Sequence, residues 1–167
     1  MPREPRDRLP NYLVRESHLP IGDDYVIELE PRGSLFVVDG RLLRIRESLT
    51  IRDTKGAAVY HIQGTLLGVK NVLTVSCDGV TIATVRKQSP QSGHERYVVE
   101  LPGAEYAEVI GSPADRAYSL SYRGYVVATI THTRMPLGSG YRVQIAPEQD
   151  DSAVLAVTIC LDVMSRR

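Results

Sequence analysis

The residues able to do chemistry in this chain are few and dispersed. Four histidines, His18, His61, His94 and His132, stand far apart. They form no HExxH and no pair at i, i+4, so no helix-borne metal site of that kind is encoded. Gly138-Ser139-Gly140 lacks the GxSxG spacing that sets a serine on a strained turn, and it reads as a loop. Neither a P-loop nor a GxGxxG is present. Cys77 and Cys160 are distant from each other and belong to no CxxC, which reads as two free thiols in a reducing compartment. Catalytic groups can converge from distant positions, but nothing in the sequence marks such a set. The expectation is a protein that is not an enzyme and carries no metal or cofactor.

Charged residues give two weaker signals. Asp162 is a carboxylate near the end of an otherwise apolar run. A buried carboxylate is costly unless paired or neutralised, so Asp162 is expected to bond to backbone or to an arginine where that run ends. Asp23-Asp24 and Asp150-Asp151 have the types of a cation site, but paired acids beside a turn or helix start read first as caps. The basic residues Arg44, Arg46, Lys70, Arg86, Lys87 and Arg96 fall at related places in a repeat described below. Residues two apart on a strand share a face, so Arg44 and Arg46 project together. Merged, the six would make a patch for an anionic headgroup. Glu47, Asp53 and Glu95 are interleaved with them, as on an ordinary wet face.

The elements that must position these residues follow from a regular period. Five times an apolar strand leads through a Gly turn into another apolar strand, and the phrases start at Tyr25, Leu49, Leu73, Tyr97 and Tyr118. A sixth starts at Tyr141 and continues into a long apolar segment instead of a partner strand. Such a period sets architecture before any site is considered. Gly accepts positive φ without steric cost, which suits tight hairpins. Leu73, Val75 and Cys77 alternate with Thr74 and Ser76, the pattern of strands with one dry and one wet face. Five hairpins, with Tyr12 to Arg15 and Tyr141 to Ile145, predict about twelve strands.

The final apolar segment, Ala153 to Met164, follows Asp150-Asp151-Ser152 and precedes Arg166-Arg167, which suits a helix of about residues 152–164. Its apolar residues cover nearly every side, and such a helix must be surrounded by protein or lipid. It is too short for the roughly 20 residues of a membrane span. About eight strands fill a barrel with their own side chains, whereas more leave a lumen. The expected fold is therefore mainly β: a closed antiparallel barrel of about twelve strands around a central hydrophobic C-terminal α-helix.

Composition bounds the partners. Basic and acidic residues both number 20, giving a net charge of zero and no global attraction for nucleic acid. Residues 1–10 carry mixed charge and three prolines without a signal-type apolar core, and read as a flexible tail before a single domain at 11–167. The expectation is a soluble, cytoplasmic protein with at most peripheral membrane contact, its partner an unidentified protein or lipid.

Several stretches resemble the LURP-one-related family. They are Tyr12-Leu13-Val14-Arg15-Glu16 with Ile21-Gly22-Asp23-Asp24-Tyr25, then Val38-Asp39-Gly40-Arg41-Leu42-Leu43-Arg44-Ile45-Arg46-Glu47. Ile82-Ala83-Thr84-Val85-Arg86-Lys87, Ala146-Pro147-Glu148 and the closing Ala153 to Asp162 are similar to its bacterial members in order and spacing. The resemblance implies the tubby C-terminal-like fold, a twelve-stranded barrel around a hydrophobic helix. Relatives with that fold include phosphoinositide-binding tubby proteins and phospholipid scramblases, and plant members are linked to pathogen defence. For function it implies a non-enzymatic binding or interaction module, with peripheral binding of anionic phospholipids as the alternative. The stretches 63–68, 89–94 and 135–140 stand where many relatives have basic-aromatic connectors, so no ligand residue carries over.

Overall fold

The computed structural model describes residues 11–17, 24–30, 33–43, 46–64, 71–135 and 138–165. It is mainly β, with antiparallel strands in one sheet and a C-terminal helix. The strands are β1 (Asn11–Ser17), β2 (Asp24–Glu30), β3 (Gly33–Leu43) and β4 (Arg46–Asp53), then β5 (Ala58–Gly64), β6 (Val72–Cys77) and β7 (Val80–Lys87). β8 (Glu95–Leu101), β9 (Glu105–Ser112), β10 (Ala117–Tyr122), β11 (Tyr125–Met135) and β12 (Gly138–Ile145) lead to helix α1 (Asp151–Ser165). The five repeats are the pairs β2–β3, β4–β5, β6–β7, β8–β9 and β10–β11, and each strand pairs with its sequence neighbour.

The turns show why the chain reverses where it does. Asp78 and Gly79 have φ of 50° and 77°, and Arg123 and Gly124 have 50° and 79°. Two successive left-handed residues match the right-handed twist of the flanking strands, and glycine enters that region freely. The hydrogen-bonded order runs β1-β12-β11 and on down to β2, and β1 pairs with both β2 and β12. Along that last seam Gly140 faces Arg15, and a Cβ on Gly140 would collide with the carbonyl oxygen of Val14.

Helix α1 supplies the core. Every residue from Val154 to Leu161 is buried, as are Asp162 and Met164. Inward side chains at alternate strand positions, such as Val14, Ile27, Ile51, Ile62, Val75, Val85, Val99 and Val109, join it in one cluster. The helix begins one residue earlier than expected and ends one later. Asp150 caps it, its Oδ1 accepting from the Ala153 N–H at 3.2 Å and its carbonyl from Val154 at 3.1 Å. That satisfies donors a helix start leaves open. The buried Thr158 hydroxyl donates to the Val154 carbonyl at 3.0 Å, so it costs the interior no orphan group. Arg166 and Arg167 lie outside the described residues, and the last turn itself carries no basic residue.

Two stability predictions follow from this packing. Gly140→Ala should lower unfolding free energy by about 1–3 kcal/mol as the seam shifts to admit the methyl group, measured by chemical denaturation. An unchanged midpoint would mean that β1 and β12 have slack. Ala156, fully enclosed in the helix, offers a charge no route to water, so Ala156→Arg should leave the chain insoluble or without a cooperative thermal transition. A soluble variant with an unaltered transition would refute the helix as core.

Candidate functional site

At one end of the sheet interior, beside the start of α1, lies a cavity of about 470 Å³. Its strand wall is Ala83, Val99, Ala107, Leu120 and Val127 from β7 to β11, and its helix wall is Ala153, Val154 and Val157. The cavity exists for two reasons. The helix makes its closest approaches to β1, β5, β6, β7 and β12, and β8 to β11 are not among them. Alanines and valines on the remaining strands are too small to bridge that gap. At the rim stand Tyr60, Cys77, Tyr122, Gln149 and Asp150. Asp150 is the only acidic or basic residue among the described lining residues. Burial first, and the nearby Asp150 next, raise the pKa of Tyr60.

Several apolar side chains are exposed at this end as well. The strand registers place the β6–β7, β8–β9 and β10–β11 hairpin tips at this same end. Val80, Tyr125 and Val126 on those hairpins are 64 %, 77 % and 56 % exposed. A separate surface cleft of about 430 Å³ lies outside the tips, with Tyr122 shared between the two. In it Arg123 and Tyr122 both donate to Glu105.

The opposite end is polar and full. The even-numbered strands run in one direction, so four repeats that begin with tyrosine place Tyr25, Tyr97, Tyr118 and Tyr141 at one level around the end of α1. Tyr25 donates to Asp162 Oδ2 at 2.6 Å. Asp162 is only 2 % exposed, and this bond ties it to a tyrosine from β2. Tyr97 and Tyr118 both donate to Glu95 Oε2, at 3.3 and 3.1 Å. Lys87 donates to Glu95 Oε1 at 3.4 Å and stands 5.8 Å above the Tyr97 ring. Burial pushes the phenols of Tyr97, Tyr118 and Tyr141 up, helped by Glu95 for the first two and by Asp162 for the third. Gly111 belongs to this packing, since a Cβ there would collide with the Tyr118 ring. Arg116 reaches His132 Nε2 at 3.1 Å and donates to the Tyr141 hydroxyl at 3.3 Å. These groups bond mainly to each other, which is the pattern of a structural network.

The expected basic patch is spread over several places. Arg86 and Lys87 are successive residues of one strand and so point to opposite faces. Arg86 is exposed and pairs with Glu100 at 2.7 Å, while Lys87 turns inward to Glu95. Arg96 donates to Gln91 Oε1 at 2.9 Å on the outer face. Arg46 opens β4, whereas Arg44 and Lys70 lie outside the described residues. Of the acid pairs, Asp150 caps α1 and Asp151 accepts from Tyr12, whose phenol is pushed up to about 12 by burial first and by Asp151 second. Asp24 opens β2 and Asp23 lies outside the described residues. Cys77 and Cys160 are both free. Among the described residues no group of three or more His, Cys, Asp or Glu side chains is placed for a metal ion, and no helix is long and apolar enough to cross a membrane.

A mainly β sheet wrapped onto its own C-terminal helix defines a distinct class of fold, and the sequence falls within it along most of its length. Residues 11–162 match the model of the LURP-one-related family, and the chain belongs to that family. It is 26 % identical over 129 residues to the Bacillus subtilis protein YxjI, which is uncharacterised, covering 77 % of each chain. An Arabidopsis thaliana protein of known X-ray structure shares the fold with a TM-score of 0.67 and 18 % identity, covering 93 % of this chain and 91 % of that one.

The polar end yields a pH prediction. Burial first and Arg116 second hold His132 below the 6.5 of a free imidazole. The folded state thus binds its proton less readily than the unfolded chain, and stability rises with pH between the lowered value and 6.5. Unfolding free energy should fall as pH drops below about 6.5, and His132→Gln should flatten that slope. Denaturation at several pH values checks this, and an equal slope in the variant would remove His132 as its cause.

Proposed function

We propose that the chain is a non-enzymatic binding module, a tubby C-terminal-like barrel that holds an apolar ligand beside its core helix. The observation that carries this reading is the cavity of about 470 Å³ walled by alanine, valine and leucine side chains. Its size falls within the roughly 300–1,000 Å³ of small-molecule sites, and its lining has their apolar character with a few polar groups at the rim. The exposed Val80, Tyr125 and Val126 extend apolar surface around the entrance. A surface site for anionic headgroups has less support, since Arg86, Lys87 and Arg96 each hold a partner within the protein and do not share one face.

An uncharged, environment-sensitive dye such as prodan tests the proposal. It should bind saturably with blue-shifted emission. Ala107→Phe, and independently Ala83→Leu, should abolish that signal while keeping or raising the melting temperature, because each fills empty space. No saturable binding to the unmodified chain, or binding unchanged in both folded variants, would overturn it.

A further inference from the structure

The rim of the cavity carries information about the polar end of whatever enters it. Sixteen described residues line the space, and none of them is lysine, arginine or histidine. The polar groups they present at the entrance are the Tyr60 hydroxyl, the Gln149 amide, the Asp150 carboxylate and the Cys77 thiol, with the Tyr122 hydroxyl already donated to Glu105. One Asp150 oxygen accepts from the Ala153 N–H, but an ionised carboxylate has about four acceptor sites, so capacity remains. The nearest arginine on the hairpins around the entrance, Arg123, is held by Glu105. A helix start ordinarily favours an anion, yet here Asp150 and Asp151 already occupy that role on α1. An anionic head at this entrance would meet a fixed carboxylate and no cation among the described lining residues. A cationic head would meet the Asp150 carboxylate and the neutral oxygen of the Gln149 amide.

From this charge arrangement we infer that the ligand is a single-chain amphiphile with a cationic, amine-type head, its chain between β7–β11 and α1 and its head beside Asp150 and Tyr60. The inference rests on the cavity reading proposed above and adds the chemistry of the head. Asp150 is exposed at the rim, so its pairing with a cation is partly screened by water. An exposed ion pair of this kind is worth a factor of a few in affinity, and with the matching repulsion of an anion the separation is on the order of tenfold.

Competition against bound prodan by decylamine, decanol and decanoate, each below its micellar concentration, measures this directly. The amine should displace the dye at about tenfold lower concentration than decanoate, with decanol between them. Added salt should narrow the gap. Asp150→Asn retains a good helix cap and should remove the advantage of the amine over decanol while leaving decanol unchanged. Equal or tighter binding of decanoate, or an amine preference that survives Asp150→Asn, would overturn the assignment of the head. Failure of all three to displace a dye that does bind would overturn it too, leaving the cavity reading in place. Failure of the dye itself would overturn both.

Discussion

The whole molecule depends on covering α1. A helix with apolar side chains on every side gains from leaving water over its full circumference, and a single sheet face can cover only one side of it. The chain meets this with strands that pair in sequence order until β1 has neighbours in β2 and β12. No described strand is left with an unpaired edge, which also removes the usual template for edge-to-edge association. The helix comes last in the sequence, yet it fills the space that all the earlier strands define. Helix and sheet each supply what the other lacks, so neither is expected to hold its form alone.

The two ends of the helix are treated differently, and the difference accounts for both the cavity and the tyrosine network. At its C-terminal end long polar side chains reach inward and consume the available space. Tyr25, Tyr97, Tyr118 and Tyr141 bring hydroxyls to Asp162, Glu95 and Arg116, so bulk and hydrogen bonding are supplied together. Buried polar groups of this kind fix one arrangement, because any slip leaves donors or acceptors unmet in a low-dielectric interior. At its N-terminal end the wall is built mainly from alanine, valine and leucine, which leave the gap unbridged and bind water poorly. Apolar space of that sort is poorly hydrated and favours an apolar occupant.

Much of this was legible in the residues. Period-two alternation and turn pairs such as Asp78-Gly79 marked the hairpins, and the all-round apolar segment marked the helix and its need for enclosure. Asp162 stood out as anomalous, but its partner Tyr25 lies 137 residues away, and no local pattern reports a contact at that separation. The tyrosine level could have been found, since tyrosine opens four of the six phrases and equal phrase positions on like-directed strands lie side by side. The cavity left a fainter trace in Ala83 and Ala107, small residues at matching places in successive hairpins. What hid it was the position of the helix, which sequence alone does not set. Combining Arg86 and Lys87 into one patch overlooked that neighbours on a strand face opposite ways.

The distribution of charge follows from the same division of the interior. Acidic and basic residues are equal in number over the whole chain, yet they are not spent equally. The described basic residues most prominent in the sequence are taken up by carboxylates or amides on the strands, as with Arg86 and Glu100, Lys87 and Glu95, and Arg123 and Glu105. Asp150 is committed to the helix backbone instead of to a cation. A capping carboxylate neutralises the partial charge of the helix start but remains a full negative charge toward anything that approaches from outside. Placing the start of the core helix at the open end of the interior therefore puts an anionic group at the entrance as a by-product of capping. The entrance thus acquires its electrostatic character from the requirement to terminate α1, before any ligand is considered.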